Sequence, residues 1–231
     1  MAETGTTGPT KAKAEAANPR ERYRTQVRAE IKEHAWEQIA SAGASALSLN
    51  AIAKRMGMSG PALYRYYANR DALITELISD AYRSLADTFN GVGATAPGQE
   101  PGADLAALAH ALRRWALDDP QRYLLIYGTP VPGYHAPDDI TAVSDEIMGT
   151  LLGACPSPPS DAPATPLEAH LADRLQWSVD HPASPAALHR ALTFWTRLHG
   201  VLSLELAGHF SGMGFDPAQL FAAELEDLLA S

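Results

Sequence analysis

Residues 47–70 read LSLNAIAKRMGMSGPALYRYYANR, and the layout of this stretch decides the fold. Leu49, Ile52, Ala53 and Met56 recur at helical spacing behind Ser48, a residue type that caps helix N-termini. Gly57 then turns the chain through a conformation that a β-carbon opposes. Ser59 is placed to cap a second short helix, where Pro61 is tolerated because first-turn N–H groups have no intrahelical partner. Ala53 is small enough to let the two helices approach, and Leu63 answers it from the other side of the turn. Ile52, Met56, Met58, Leu63 and either Tyr66 or Tyr67 would fill the wedge between them. This is the layout of a helix-turn-helix, whose second helix leans out of its fold.

With Leu63 and Tyr67 inward, Gly60, Pro61, Ala62, Tyr64 and Arg65 point away. The first three are small and allow close approach to base edges and methyl groups. Tyr64 offers a rigid ring and a hydroxyl, and Arg65 can pair bidentately with guanine or clamp a phosphate. Ser48 and Asn50 begin the preceding helix, where N–H groups favour phosphate, although capping alone also accounts for them. Arg70 begins the following helix and can hold the flanking nucleic-acid backbone. A three-helix bundle with merely packing tyrosines would give Tyr64 and Arg65 no buried face to serve. The implied partner is double-stranded DNA, met in the major groove by the N-terminal end of the second helix.

The charge distribution agrees. The 231 residues carry a net charge of −9. Residues 1–70 hold eleven Lys/Arg against six Asp/Glu, whereas the rest holds seven against twenty-one. A basic first part on an acidic remainder suits contact with a polyanion. Residues 1–19 lack apolar periodicity and read as a disordered tail. Val27, Ile31, Ala35, Trp36, Ile39 and Ala40 mark an amphipathic helix ending at Gly43. Asn69 caps a longer helix through Asp71, Leu73, Leu77, Ala81, Leu85 and Phe89. NGVGATAPGQEPGAD (90–104) breaks the pattern. Helical segments follow at 105–119, 120–127, 140–153, 167–179, 185–210 and 217–230, with no convincing strand alternation. The predicted fold is all-α. A helix-turn-helix domain (20–68) leads through a connecting helix (69–90) to a larger helical domain (91–231).

SLNAIAKRMGMSGPALYRYYANRDALITEL (48–77), within a likeness running from about Tyr23 to Phe89, resembles the tetracycline-repressor-type (TetR/AcrR) transcriptional regulators. The resemblance implies an N-terminal three-helix DNA-binding domain, a connecting fourth helix, and an all-helical domain for ligand binding and dimerisation. It assigns groove and phosphate contacts to Ser59, Gly60, Pro61 and Ala62 and to Tyr64, Arg65 and Tyr66, and a phosphate contact to Arg70. Two positions depart from the family pattern. Gly60 stands where many relatives place lysine, and Asn50 where many place arginine. Their lost charge shifts the expected burden to the basic arm of Arg20, Arg22, Arg24 and Arg28.

The segment 185–210 carries Leu188, Leu192, Trp195, Leu198, Leu202, Leu206 and Phe210 at near-heptad steps, with Phe194, Val201 and Leu204 elsewhere. More than one apolar stripe suits packing on its own domain and on a second copy. With 217–230 it would form half of a four-helix dimer bundle, as in the family; a buried central helix in a monomer is the plainer alternative. A homodimer presents two recognition helices to a palindromic operator. Trp115, Tyr123, Tyr127, Trp177, Phe194, Trp195 and His199 are candidate pocket residues for a mostly apolar small molecule. Core packing is the plainer reading for each taken singly.

The sequence speaks against other classes. No G-x-S-x-G, H-E-x-x-H, phosphate loop or dinucleotide fingerprint is present, so neither an enzyme nor a cofactor is expected. The eight histidines include no i,i+4 pair, and no metal is expected. No apolar run is long enough for a membrane span, no secretory h-region is seen, and Cys155 reads as an incidental loop thiol. A cytoplasmic, ligand-released repressor is the expected function. The alternatives are a constitutive or non-specific DNA-binding protein and a helical enzyme or carrier with a vestigial first domain.

Overall fold

Helix α1 (Pro19–Ala42) starts at a reciprocal cap, with the Asn18 side chain accepting from the backbone of this first turn and Glu21 reaching back to the Asn18 N–H. The computed structural model describes residues 18–93, 103–131, 134, 138–155, 164–173 and 183–230. After α1 come a 3₁₀ turn (Ala44–Ala46), α2 (Leu49–Arg55), α3 (Gly60–Leu63) and α4 (Arg70–Gly93). Then follow α5 (Ala103–Asp118), α6 (Pro120–Tyr127), α7 (Asp138–Gly153), α8 (Pro166–Ala172), α9 (Pro185–Leu206) and α10 (Pro217–Ala230). The described residues contain no strand, as the sequence predicts.

The turn between α2 and α3 has the expected chemistry. Gly57 sits at φ 66°. Its N–H donates to the Lys54 carbonyl and the Met58 N–H donates to the Ala53 carbonyl, at 3.2 and 2.8 Å. That pair of bonds is a Schellman motif, which satisfies carbonyls the ending helix would leave bare. The Ser48 hydroxyl accepts from the Ala51 N–H, and the Asn69 side chain accepts from the Ala72 N–H, both as N-caps. Ser59 occupies an N-cap position, but its hydroxyl makes no capping bond.

Apolar side chains gather into two clusters. The first holds Val27, Ile31, Ala35 and Ile39 of α1, Ile52 and Ala53 of α2, Leu63, Tyr67, and Leu73 to Ile78 of α4. Val131, after α6, and Ile140, in the first turn of α7, are buried in it too. The second holds the distal half of α4 with α5 to α10. Tyr82 and Ile126 pack against both, so α4 and α6 bridge the two cores.

Several expectations are corrected. Helix α4 runs on to Gly93, beyond the predicted break at 90. Helix α9 stops at Leu206, and Phe210 lies in the following turn against Phe215, with ring centroids 5.2 Å apart. Helix α8 ends at Ala172; the rest of the predicted 167–179 helix, including Trp177, lies outside the described residues. Ala40 faces solvent because it falls just off the buried line of Val27, Ile31, Ala35 and Ile39. Cys155 is a buried core residue, and burial pushes its thiol up to about 11, which suits packing rather than redox exchange.

Candidate nucleic-acid interface and aromatic cluster

Helix α3 ends at Leu63, short of the predicted helix, and the turn that follows it separates an inner from an outer face within five residues. Leu63 is 0% exposed and Tyr67 2%, whereas Tyr64 between them is 46% exposed. Asn50, Ser59, Pro61, Tyr64 and Arg65 are exposed, while Ser48, Gly60, Ala62, Tyr66 and Arg70 are half-buried. At the α2–α3 corner the Asn50 side chain lies beside Gly60.

The cations around this corner divide into two sets. Arg28 is committed to the fold. It ion-pairs with Glu76, donates to the Tyr66 carbonyl at 2.9 Å, and lies over the Tyr67 ring at 4.5 Å. Lys32 pairs with Glu76 and Asp80 at 3.3 and 2.6 Å, and Arg55 pairs with Glu37 at 2.9 Å. Arg70 donates to the Ala44 carbonyl at 2.8 Å, so its guanidinium is partly occupied in holding α4 to the turn after α1. Arg20, Arg22, Arg24, Lys54 and Arg65 have no side-chain anion partner among the described residues. This corrects the predicted basic arm, since Arg28 does not belong to it. It also adds exposed Lys54, which the sequence reading passed over because it sits on a helix that otherwise reads as support.

Gly60 does not owe its identity to the backbone, since the left-handed glycines do not include it. A β-carbon there would meet Asn50 Oδ1 at 3.5 Å, an ordinary contact. A longer side chain can therefore leave toward solvent. Gly60→Lys is expected to tighten DNA binding several-fold at low salt. It should steepen the slope of log affinity against log salt by about 0.9 for each added phosphate contact. Binding isotherms across a salt series check this; an unchanged slope would place position 60 away from the phosphates.

Away from this corner, α5, α6 and α9 bring aromatic rings around His199. The Tyr123, Tyr127 and Trp195 ring centroids lie 5.5, 4.3 and 4.2 Å from the imidazole. Trp115 meets Tyr123 edge-on at 6.4 Å, and Phe194 is fully buried one residue before Trp195. Five of the seven predicted pocket residues thus lie in or against the second core, His199 is buried among their rings, and Trp177 lies outside the described residues. His199 Nδ1 shares a 2.9 Å hydrogen bond with the Tyr123 hydroxyl, which also meets Ser203 Oγ at 2.9 Å. The Trp115 Nε1–H and the Arg122 guanidinium both donate to Ser84 Oγ of α4, at 3.1 and 3.2 Å. A separate cleft of about 770 Å³ opens between α4 and α5, lined by Thr88, Ala107, His110, Arg113, Arg114 and Leu117 among others. It holds no Trp, Tyr or Phe, and none of the predicted pocket residues. In the ring cluster, by contrast, the Tyr123 hydroxyl, His199 Nδ1 and Ser203 Oγ meet at one buried point.

Burial lowers the His199 pKa from an ordinary 6.5 to about 3. The unfolded chain then takes up a proton near pH 6.5 while the folded chain stays neutral. Stability is complete above that pH and falls as pH drops toward 3. Between pH 7 and pH 5 the expected loss from this group is about 2 kcal/mol. Urea unfolding at both pH values should show that component in the native protein and not in His199→Phe. Equal pH dependence in the two would mean His199 titrates normally.

Comparison with known proteins bears on the same residues. The family model described as "Bacterial regulatory proteins, tetR family" matches residues 31–77, and that described as "Tetracyclin repressor-like, C-terminal domain" matches 105–228. The HTH-type transcriptional regulator Rv1816 of Mycobacterium tuberculosis is 34% identical over 217 residues, covering 90% of this chain and 92% of its own. Mb1846 of Mycobacterium bovis matches to the same extent. The crystal structure of SCO4313 is 67% identical with a TM-score of 0.83, covering 93% of this chain and all of that one. A TetR/AcrR-family regulator from Thermobifida fusca shares the fold at 18% identity and a TM-score of 0.56, covering 88% of this chain and 97% of its own. With a helix-turn-helix corner that exposes Tyr64 and Arg65, and matches along both parts of the sequence, the chain belongs to the TetR family of DNA-binding transcriptional regulators.

Proposed function

We propose that the protein is a cytoplasmic, homodimeric repressor that leaves a palindromic operator when a small, mostly apolar molecule binds among the aromatic residues of its C-terminal helices. The observation that carries this reading is a continuous path of contacts. His199 touches Tyr127, and Tyr127 meets Tyr82 of α4 edge-on at 6.1 Å. Helix α4 starts at Arg70, directly after the exposed Tyr64–Arg65 face. A molecule that repositions Tyr127 therefore acts on the helix that carries the recognition segment. Repression is relieved by population shift, the ligand favouring a dimer whose two α3 helices are spaced wrongly for the operator.

The proposed dimer surface is the outer side of α9 and α10. Leu204, Met213, Phe215 and Leu229, in α9, the following turn and α10, remain exposed although they are large and apolar. A second copy covers them in this reading. Footprinting of the purified protein on genomic DNA would supply an operator. Fluorescence anisotropy on that operator, with and without candidate ligands, then tests release. Sedimentation of free and bound protein tests the dimer. Affinity that no ligand changes would leave a constitutive regulator, and a steep salt slope without sequence preference would leave a non-specific DNA binder.

A further inference from the structure

The aromatic cluster contains one unexplained polar atom. His199 is 9% exposed, and its Nε2 is sealed from solvent with no donor or acceptor opposite it. Buried polar atoms are nearly always hydrogen-bonded, so an orphan aimed into a ring cluster calls for a partner from outside the chain. The surroundings are asymmetric. Tyr123, stacked on the imidazole, is fully buried, whereas Tyr127 and Trp195 are only half-buried. Those last two rings are also the ones nearest the imidazole, at 4.3 and 4.2 Å. Access to Nε2 therefore runs through Tyr127 and Trp195, and one of them must swing aside.

Resting on the ligand-release reading above, we infer that His199 Nε2 anchors the effector, an uncharged and largely aromatic molecule with one hydrogen-bonding group, whose apolar body lies between Tyr127 and Trp195. The neighbouring hydroxyls let the same atom serve either kind of group. When the Tyr123 hydroxyl donates to Nδ1, Nε2 carries the proton and donates to an effector carbonyl. When Nδ1–H donates to the Tyr123 oxygen, the phenol proton turns to Ser203 Oγ or to the His199 carbonyl, at 2.9 and 3.3 Å. Nε2 then accepts from an effector hydroxyl. Burial keeps the imidazole neutral. No carboxylate or guanidinium is recorded in contact with it among the described residues. A charged effector would lose its hydration without gaining a counter-ion.

Isothermal titration of the full-length protein with a matched probe set tests this. The set is naphthalene, 2-naphthol, 2-acetylnaphthalene, 2-naphthoate and 2-naphthylmethylammonium. The two neutral polar probes should bind about tenfold more tightly than naphthalene, the effect of one net hydrogen bond, and both ions more weakly than naphthalene. His199→Phe should erase the tenfold advantage while keeping naphthalene binding. His199→Gln, whose amide both donates and accepts, should restore part of it, and circular dichroism reports whether each variant folds. Equal binding of all probes, an unchanged advantage in His199→Phe, or tightest binding by an ion would overturn the anchor and leave the apolar site standing. Failure of all five probes to bind would overturn the ligand site itself, and the anchor with it.

Discussion

Replacing Tyr64 and Arg65 together with alanine should cost about a hundredfold or more in operator affinity while leaving the protein folded. Both side chains are exposed at the tip of the helix-turn-helix, and Arg65 has no anion partner among the described residues. Each contact to a base edge or phosphate is worth about 1–3 kcal/mol, and a dimer makes each of them twice. Neither residue supports the core, so stability should stay within about 0.5 kcal/mol of the native protein. The single variants separate two roles. If Arg65 reads a base, Arg65→Ala relaxes preference at that base pair; if it clamps a phosphate, it weakens all sequences alike and lowers the salt slope by about one. Native affinity in both single variants and the double would remove α3 from the groove.

Leu63→Ala, one position earlier, should behave in the opposite way. Leu63 is fully buried in the first core with Ile52, Ala53 and Tyr67. Truncating a buried leucine costs about 2–5 kcal/mol, through lost apolar transfer and the cavity left behind. That is a large share of the 5–15 kcal/mol that holds a typical domain together. DNA binding should fall only as far as the unfolded fraction grows, so conditions that restore folding restore binding. Urea unfolding followed by far-ultraviolet circular dichroism gives the first quantity, and anisotropy under the same conditions the second. A change below about 1 kcal/mol together with lost binding would put Leu63 on the outer face.

These opposite outcomes at adjacent positions were legible in the sequence. Helical periodicity alone sends Leu63 and Tyr67 inward and Tyr64 and Arg65 outward, because residues three and four apart share a face. The Gly57 turn and the Ser48 and Asn69 caps are also local chemistry, fixed within four residues of chain. Local rules could not identify which cations are free. Arg28 reads as part of a basic arm, yet its partner Glu76 is 48 positions away, as is the Asp80 partner of Lys32. Only the packing of α1 against α4 brings those charges together.

The same division runs through the rest of the molecule. The sequence by itself determined the all-helical class, the helix-turn-helix and the outward turn of Tyr64 and Arg65, since each depends on hydrogen bonds and spacing within a turn or two. It also named the aromatic residues, but favoured core packing over a pocket wall for each taken singly. Tertiary structure decided that α6 and α9 stack Tyr123, Tyr127, Trp195 and His199 together and leave Nε2 unpaired. It decided that Cys155 is buried and that Val131 and Ile140 enter the first core. The reason is one of range. Side chains about 70 positions apart meet only where helix faces pack, and no local periodicity specifies which faces those are.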